Sequence, residues 1–246
     1  MEKSSNMIIY GKHPVVDAIK SGKTIEKVLV QKGSTTNLEA EIRQLGKDHD
    51  FPVQYVPKER LNRITRNNHQ GVIAYISAIT YHGAEELLAE IIENNTNPLV
   101  LILDGVTDVR NFGAIARSAE CMGVAAIIIQ QKGSAPANAE AVKASAGALT
   151  KIKIGRINSF ATLVGFLQNT GWQVLASDLK SKNPLKEVDF SEPTAIIIGS
   201  ESYGVSKYLL KAVDDTFIIP QIGETDSFNV SVATGIILYE AMSQRA

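Results

Sequence analysis

Three polar segments each follow an apolar run and carry residue types able to act on a nucleophile or its proton. After LVLILD comes GVTDVRNFGAIARSAE, with Asn111, Gly113 and Arg117 at the start of an expected helix. After AIIIG comes Ser200-Glu201-Ser202-Tyr203-Gly204, where Gly199 and Gly204 bracket a turn. After TFIIP comes QIGETDSFNVSVATG, with Ser227 and Asn229 where the last helix begins. Amides and hydroxyls make neutral hydrogen bonds, a carboxylate accepts, and a guanidinium offers a rigid fork of donors that stays charged. Such a set can orient a hydroxyl and stabilise charge developing on oxygen, as group transfer requires. Each segment also has a plainer reading: Asn111 as a helix N-cap beside a surface arginine, Glu201 as a solvated strand-tip carboxylate, Ser227 as another cap.

Several other chemistries lack their residues. No G-x-G-x-x-G follows a strand, so a nicotinamide or flavin site lacks its phosphate-cradling turn. Gly22-Lys23-Thr24 is the nearest approach to a triphosphate loop, but Asp17 stands where the leading glycine belongs. All four histidines, His13, His49, His69 and His82, lie in the first third, so the later segments cannot build a Ser-His-Asp triad or a histidine metal site from their own residues. The single cysteine, Cys121, excludes an intrachain disulfide and a thiolate cluster and fits a reducing cytoplasm. No metal is expected. No apolar run approaches the roughly 18 residues of a membrane helix, and MEKSSNMIIYGKH lacks the apolar centre of a signal peptide, so neither membrane insertion nor secretion is expected.

The positioning elements follow from hydrophobic patterning. With 246 residues, 44% hydrophobic and 21% charged, the chain has enough apolar surface to fold as one large domain or as a small one joined to a medium one. Its first third alternates Met7 to Tyr10, HPVVDAIKSG, EKVLVQ, NLEAEIRQLGKD, PVQYVP, KERLNRIT and GVIAYIS, an α/β rhythm. From Leu99 the strands LVLILD, AAIIIQ, KIKIGRI, QVLASD, AIIIGS and TFIIP are almost wholly apolar, as a parallel sheet covered on both faces requires. Ligands of such sheets sit beyond the carboxyl ends of the strands, where the three polar segments lie. The expected division is a first domain over 1–80, a linker over 81–96 containing the helical AEELLAEIIENN, and a second domain over 97–246 ending in a helix from about Asn229 to Gln244.

Net charge is −1, but residues 1–80 hold 12 Lys and Arg against 8 Asp and Glu, and the rest hold 13 against 18. Within the basic third, Lys58, Arg60, Arg63, Arg66 and His69 are interrupted only by Glu59. Arg60, Arg63 and Arg66 recur at a spacing that stacks them on one helix face, which is either a solvated surface or a phosphate-tracking patch.

Taken together, NFGAIAR, GSESYG and IPQIGETDSFNVSVATG resemble the three motifs of the SpoU (TrmH-like) family of RNA ribose 2′-O-methyltransferases, within the SPOUT superfamily. Phe228 stands where leucine is usual. IIYGKHPVVDAI and NHQGVIAYIS resemble the L30e-like domain that binds RNA substrate in one branch, so the resemblance covers the whole chain. It implies an α/β catalytic domain ending in a trefoil knot, S-adenosylmethionine as methyl donor, and an active site at a homodimer interface. The branch implied acts on a guanosine ribose of large-subunit (23S) ribosomal RNA. Arg117, Asn111, Glu201, Ser227 and Asn229 then form the catalytic set, Gly199, Ile219 and Phe228 line the donor site, and Arg60, Arg63 and Arg66 meet RNA. Because a guanidinium is a reluctant base, Arg117 is expected to stabilise the alkoxide while a substrate phosphate or water takes the proton. Glu201 is expected to hold the arginine fork or the substrate sugar. The alternatives are a transferase acting on transfer RNA or another ribosomal site, and a non-catalytic RNA-binding protein, which would not need Arg117.

Overall fold

The structure, a computed structural model, describes residues 8–33 and 36–245; Met7 of the first apolar run lies outside the described residues. The chain divides into two compact units between Thr80 and Tyr81, with Pro136–Ala139 grouped with the first.

The first unit comprises β1 (Ile8–Tyr10), α1 (Lys12–Lys20), β2 (Ile25–Gln31), α2 (Thr36–Asp48), β3 (Val53–Val56), α3 (Lys58–Ile64) and β4 (Val72–Ile76). Its sheet runs β1-β4-β2-β3, with β2 and β3 parallel and the other pairs antiparallel. Strand alternation separates two faces. Val28, Val30, Val72 and Ala74 bury with Val15, Ile19, Leu38 and Ile42 of α1 and α2. Leu29 and Ile73 form a smaller cluster closed by Leu61 of α3.

Helix α3 ends before the full arginine spacing is used, because Thr65 is extended at φ −144° and ψ 141°. Arg60 and Arg63 share the helix, while Arg66 lies beyond it; all three are exposed. His69 leaves the basic stretch altogether. It is buried, its Nδ1 accepts the Gly71 N–H at 3.0 Å, and its Nε2 is left to donate to Asn62 Oδ1 at 2.8 Å.

The second unit comprises β5 (Tyr81–Gly83), α4 (Ala84–Asn94), β6 (Leu99–Asp104), α5 (Val109–Cys121), β7 (Ala126–Gln130), α6 (Ala139–Ala144), β8 (Lys153–Ile157), α7 (Phe160–Asn169), β9 (Gln173–Ser177), β10 (Thr194–Gly199), α8 (Lys207–Leu210), β11 (Asp215–Phe217) and α9 (Val230–Ser243). Seven strands in the order β11-β9-β10-β6-β7-β8-β5 form a wholly parallel sheet. Val100, Ile102, Ile128 and Ile197 pack with α4 and α7, and the alternate residues Leu101, Leu103 and Ile196 are buried on the opposite side, where α5 and α9 pack together. Among the described residues no helix is long and apolar enough to cross a membrane.

The expected linker over 81–96 is instead the opening strand and helix of this unit. β5 pairs with β8, and α4 lies so close to the sheet that a Cβ on Gly155 would come 3.3 Å from Ala84 Cα. Leu87, Leu88 and Ile91 of α4 are buried. At about 1.5–3 kcal/mol per buried side chain, losing all three would cost an amount comparable with the ~5–15 kcal/mol net stability of a domain. A fragment starting at residue 97 is therefore expected to show no cooperative thermal transition by circular dichroism, whereas one starting at residue 81 keeps it.

Candidate active site

Strand β6 is the switch point of the parallel sheet: β7 and β8 continue on one side of it and β10 and β9 on the other. Crevices for ligands open at the carboxyl end of such a point. Gly105, at φ 73°, turns the chain out of β6 there, and Asp108 caps α5 by accepting the N–H groups of Arg110 and Asn111, both at 2.9 Å. Asn111 is therefore not the cap. It sits inside the first turn, its side chain available to other elements.

That side chain ties the three motifs together. Asn111 Nδ2 donates to Glu201 Oε1 at 3.3 Å, and Asn111 Oδ1 accepts from Asn229 Nδ2 at 3.1 Å. Asn229 Nδ2 also donates to Glu201 Oε1, and the Val230 N–H approaches the same oxygen at 3.4 Å. Asn229, not Ser227, caps α9, its Oδ1 accepting the N–H and hydroxyl of Ser231 at 2.9 and 2.6 Å. Glu201 thus faces the positive end of α9, where a carboxylate is favoured. Its Oε2 has no hydrogen-bond partner among the described residues.

The turn carrying Glu201 is tightly built. Gly204, at φ 65°, donates its N–H to the Ser200 carbonyl at 2.9 Å, and a Cβ on Gly199 would fall inside the backbone of Gly204 and Val205. The Ser206 N–H donates to the buried carboxylate of Asp104 at 2.7 Å, fastening this turn to the end of β6. In NFGAIAR, a Cβ on Gly113 would stand 2.7 Å from the Ala141 carbonyl, so this glycine lets α5 lie against α6. Arg117 is exposed and has no partner among the described residues. Within the chain Arg117 and Glu201 make no hydrogen bond or ion pair, and the two asparagines meet that carboxylate.

Beside this cluster is a cavity of about 350 Å³ lined by Gly199, Glu201, Ile219, Ser227 and Phe228, among others. All three residues expected at the donor site are thus brought together, with Ser227 on the same wall. Asp178 also lines it, and neither it nor Asp104 and Asp108 had been singled out. The available signal was position: Asp104 and Asp178 end the apolar runs LVLILD and QVLASD, and Asp108 precedes a helix as a capping residue does. Among the described residues no three His, Cys, Asp or Glu side chains converge as on a metal ion.

A wholly parallel sheet with its polar groups gathered at the carboxyl edge of a switch point is the arrangement of the α/β proteins that bind ligands there. Residues 98–239 match the SpoU rRNA Methylase family, and residues 8–82 match the domain described as RNA 2′-O ribose methyltransferase substrate binding. A Staphylococcus saprophyticus protein assigned to the TrmH family of tRNA/rRNA methyltransferases is 33% identical over 239 residues, 97% of this chain and 96% of its own length. The AdoMet-bound rRNA methyltransferase of Sinorhizobium meliloti matches with a TM-score of 0.61 and 27% identity, over 95% of this chain and 85% of that one. The A. aeolicus TrmH/SpoU tRNA modifying enzyme matches at 0.55 and 30% identity, over 65% of this chain and 81% of its own. The chain belongs to the SpoU family and is an RNA 2′-O-methyltransferase.

Proposed function

We propose that this chain transfers a methyl group from S-adenosylmethionine to the ribose 2′-hydroxyl of a guanosine in large-subunit (23S) ribosomal RNA, in the cytoplasm and as a homodimer. The observation that carries this reading is the convergence of Asn111, Glu201 and Asn229 beside the cavity lined by Gly199, Ile219 and Phe228. That cavity fits the donor: its volume is within the range of small-ligand sites, and Ile198, Ile219 and Phe228 offer apolar surface to an adenine ring beside polar backbone. When bound, S-adenosylmethionine supplies a methyl carbon activated by positive sulfur. The protein must bring the ribose oxygen into line and manage its proton, and positioning of this kind lowers barriers by up to roughly 7–11 kcal/mol.

Glu201, held by two asparagines, accepts a ribose hydroxyl on its free oxygen, and Ser227 adds a neutral hydrogen bond. Arg117 donates to the reacting oxygen as charge develops, and the proton leaves to a substrate phosphate or water. Arg117 makes no bond to the cluster in its own chain, which is what a site completed by a second copy would leave exposed. Helix α9 supports such a partner, since it is rich in apolar residues yet leaves Val232, Ile236 and Tyr239 on one stripe 50%, 36% and 61% exposed. Ile236→Glu is expected to give monomers by analytical ultracentrifugation and to lose methyl transfer.

The first unit reads as L30e-like, supported by its alternating α/β order and mixed sheet, and the C-terminal region reads as a trefoil knot. Support for the knot comes from the segment between β9 and β10. Asn183 and Leu185 bond Ile218 just after β11, while Val188, Phe190 and Glu192 bond Gln244 and Arg245 at the end of α9. Mapping ribose methylation in RNA from cells with and without the protein tests the function. Loss of one 2′-O-methylguanosine from large-subunit RNA is expected. Loss from transfer RNA would move the substrate and keep the reaction, and no loss anywhere would overturn the proposal.

A further inference from the structure

We propose that a groove on the first unit binds an unpaired RNA nucleotide, its base against Tyr75 and its flanking phosphates on Lys27, Arg60 and Arg63. This rests on the RNA-binding reading above and gives it a place in the fold. Two helices cover one face of the four-stranded sheet; among the described residues of this unit only α3 packs on the other, and its seven residues span about 10 Å. Between α3 and the strands β2 and β4 lies a groove of about 730 Å³ whose lining includes Lys27, Glu59, Arg60, Arg63, Ile64 and Tyr75.

The groove combines charge with a flat ring. Lys27 and Tyr75 are cross-strand partners, and the Lys27 ammonium sits 4.9 Å from the centre of the Tyr75 ring. Burial raises the Tyr75 phenol above the usual tyrosine range, with nearby Arg60 opposing the shift. Glu59 is the one acid in the lining, against three cations. Aromatic faces that stack bases, set among cations that track phosphates, are the means by which proteins hold single-stranded nucleic acid. A duplex keeps its bases stacked on one another and would leave the ring idle, as would an acidic peptide. An incoming base takes the place of the Lys27 ammonium on the ring and leaves that ammonium for the adjoining phosphate.

Fluorescence anisotropy on the full chain tests this, with a labelled unstructured oligoribonucleotide and the same sequence as a duplex. Tyr75→Leu keeps apolar filling beside Ile64 but removes the π face. It is expected to weaken single-strand binding roughly tenfold without changing the salt slope, while Tyr75→Phe binds like the unchanged chain. Replacing Arg60 and Arg63 with Ala is expected to flatten the slope by about 0.7 log units per lost contact. Tyr75→Leu binding at full affinity would overturn the base site, and a flattened slope in the arginine variant would then still support the RNA reading. An unchanged slope there as well would overturn both. A competing polyglutamate that displaces the single strand as well as RNA does would also overturn the proposal. Photo-crosslinking of a 4-thiouridine oligoribonucleotide to the unaltered chain decides the matter should the leucine variant misfold: a crosslink on β4 supports the site, and crosslinks elsewhere alone refute it.

Discussion

Arg117→Ala is expected to cut single-turnover methyl transfer by roughly a hundredfold or more while S-adenosylmethionine binding and dimerisation persist. The size follows from the proposed role, since removing one donor aimed at developing oxygen charge costs about that much in other enzymes. The selectivity follows from structure. Arg117 is exposed on α5 and joins no hydrogen bond or ion pair among the described residues, so truncating it disturbs neither the fold nor the cavity beside Gly199. Loss confined to the chemical step therefore separates a transition-state interaction from substrate binding. Arg117→Lys is expected to rescue little, because an ammonium keeps the charge without the planar fork. Near-full activity in the alanine variant would remove Arg117 from the mechanism, and near-full activity in the lysine variant would reduce its part to simple charge.

Gly199→Ala is expected to weaken S-adenosylmethionine binding by more than tenfold in calorimetry. The added methyl group would overlap the backbone of Gly204 and Val205, so the turn over the cavity must open or β10 must shift. Overpacking of this kind costs about 1–3 kcal/mol, and a tenfold change in affinity corresponds to about 1.4 kcal/mol. Gly204→Ala is the informative contrast. Its φ of 65° strains any side chain, but nothing lies within 4 Å of a Cβ there, so the penalty is conformational and the cavity wall stays in place. Donor affinity in Gly199→Ala equal to that of the unchanged chain would mean that this cavity is not the donor site.

The strands of the second unit were legible because burial on both faces leaves runs such as LVLILD and AIIIG without a polar interruption. The last helix, expected from about Asn229 to Gln244, runs Val230–Ser243, and its cap is Asn229 where Ser227 had the plainer claim by type. The same reasoning misplaced the start of α5: Asn111 is a good cap by type, but Asp108 stands three residues earlier and takes the role. β5 was missed because an edge strand of three residues has no room for periodicity. Arg66 left its helix because Thr65 is extended, which charge spacing cannot report. Least legible was the bond network of the site. Glu201 meets Asn111 across 90 residues and Asn229 across 28, and nothing local to a carboxylate says which partners the sheet order will bring to it.

Asn111, Glu201 and Asn229 stand on three separate stretches of the second unit: the first turn of α5, the turn after β10 and the cap of α9. Asn229 bonds both of the others, so a local opening of the first turn of α9 would take a partner from Glu201 and from Asn111 at once. The sheet beneath would stay paired through such an opening. The arrangement of the three side chains is therefore expected to melt before the fold does.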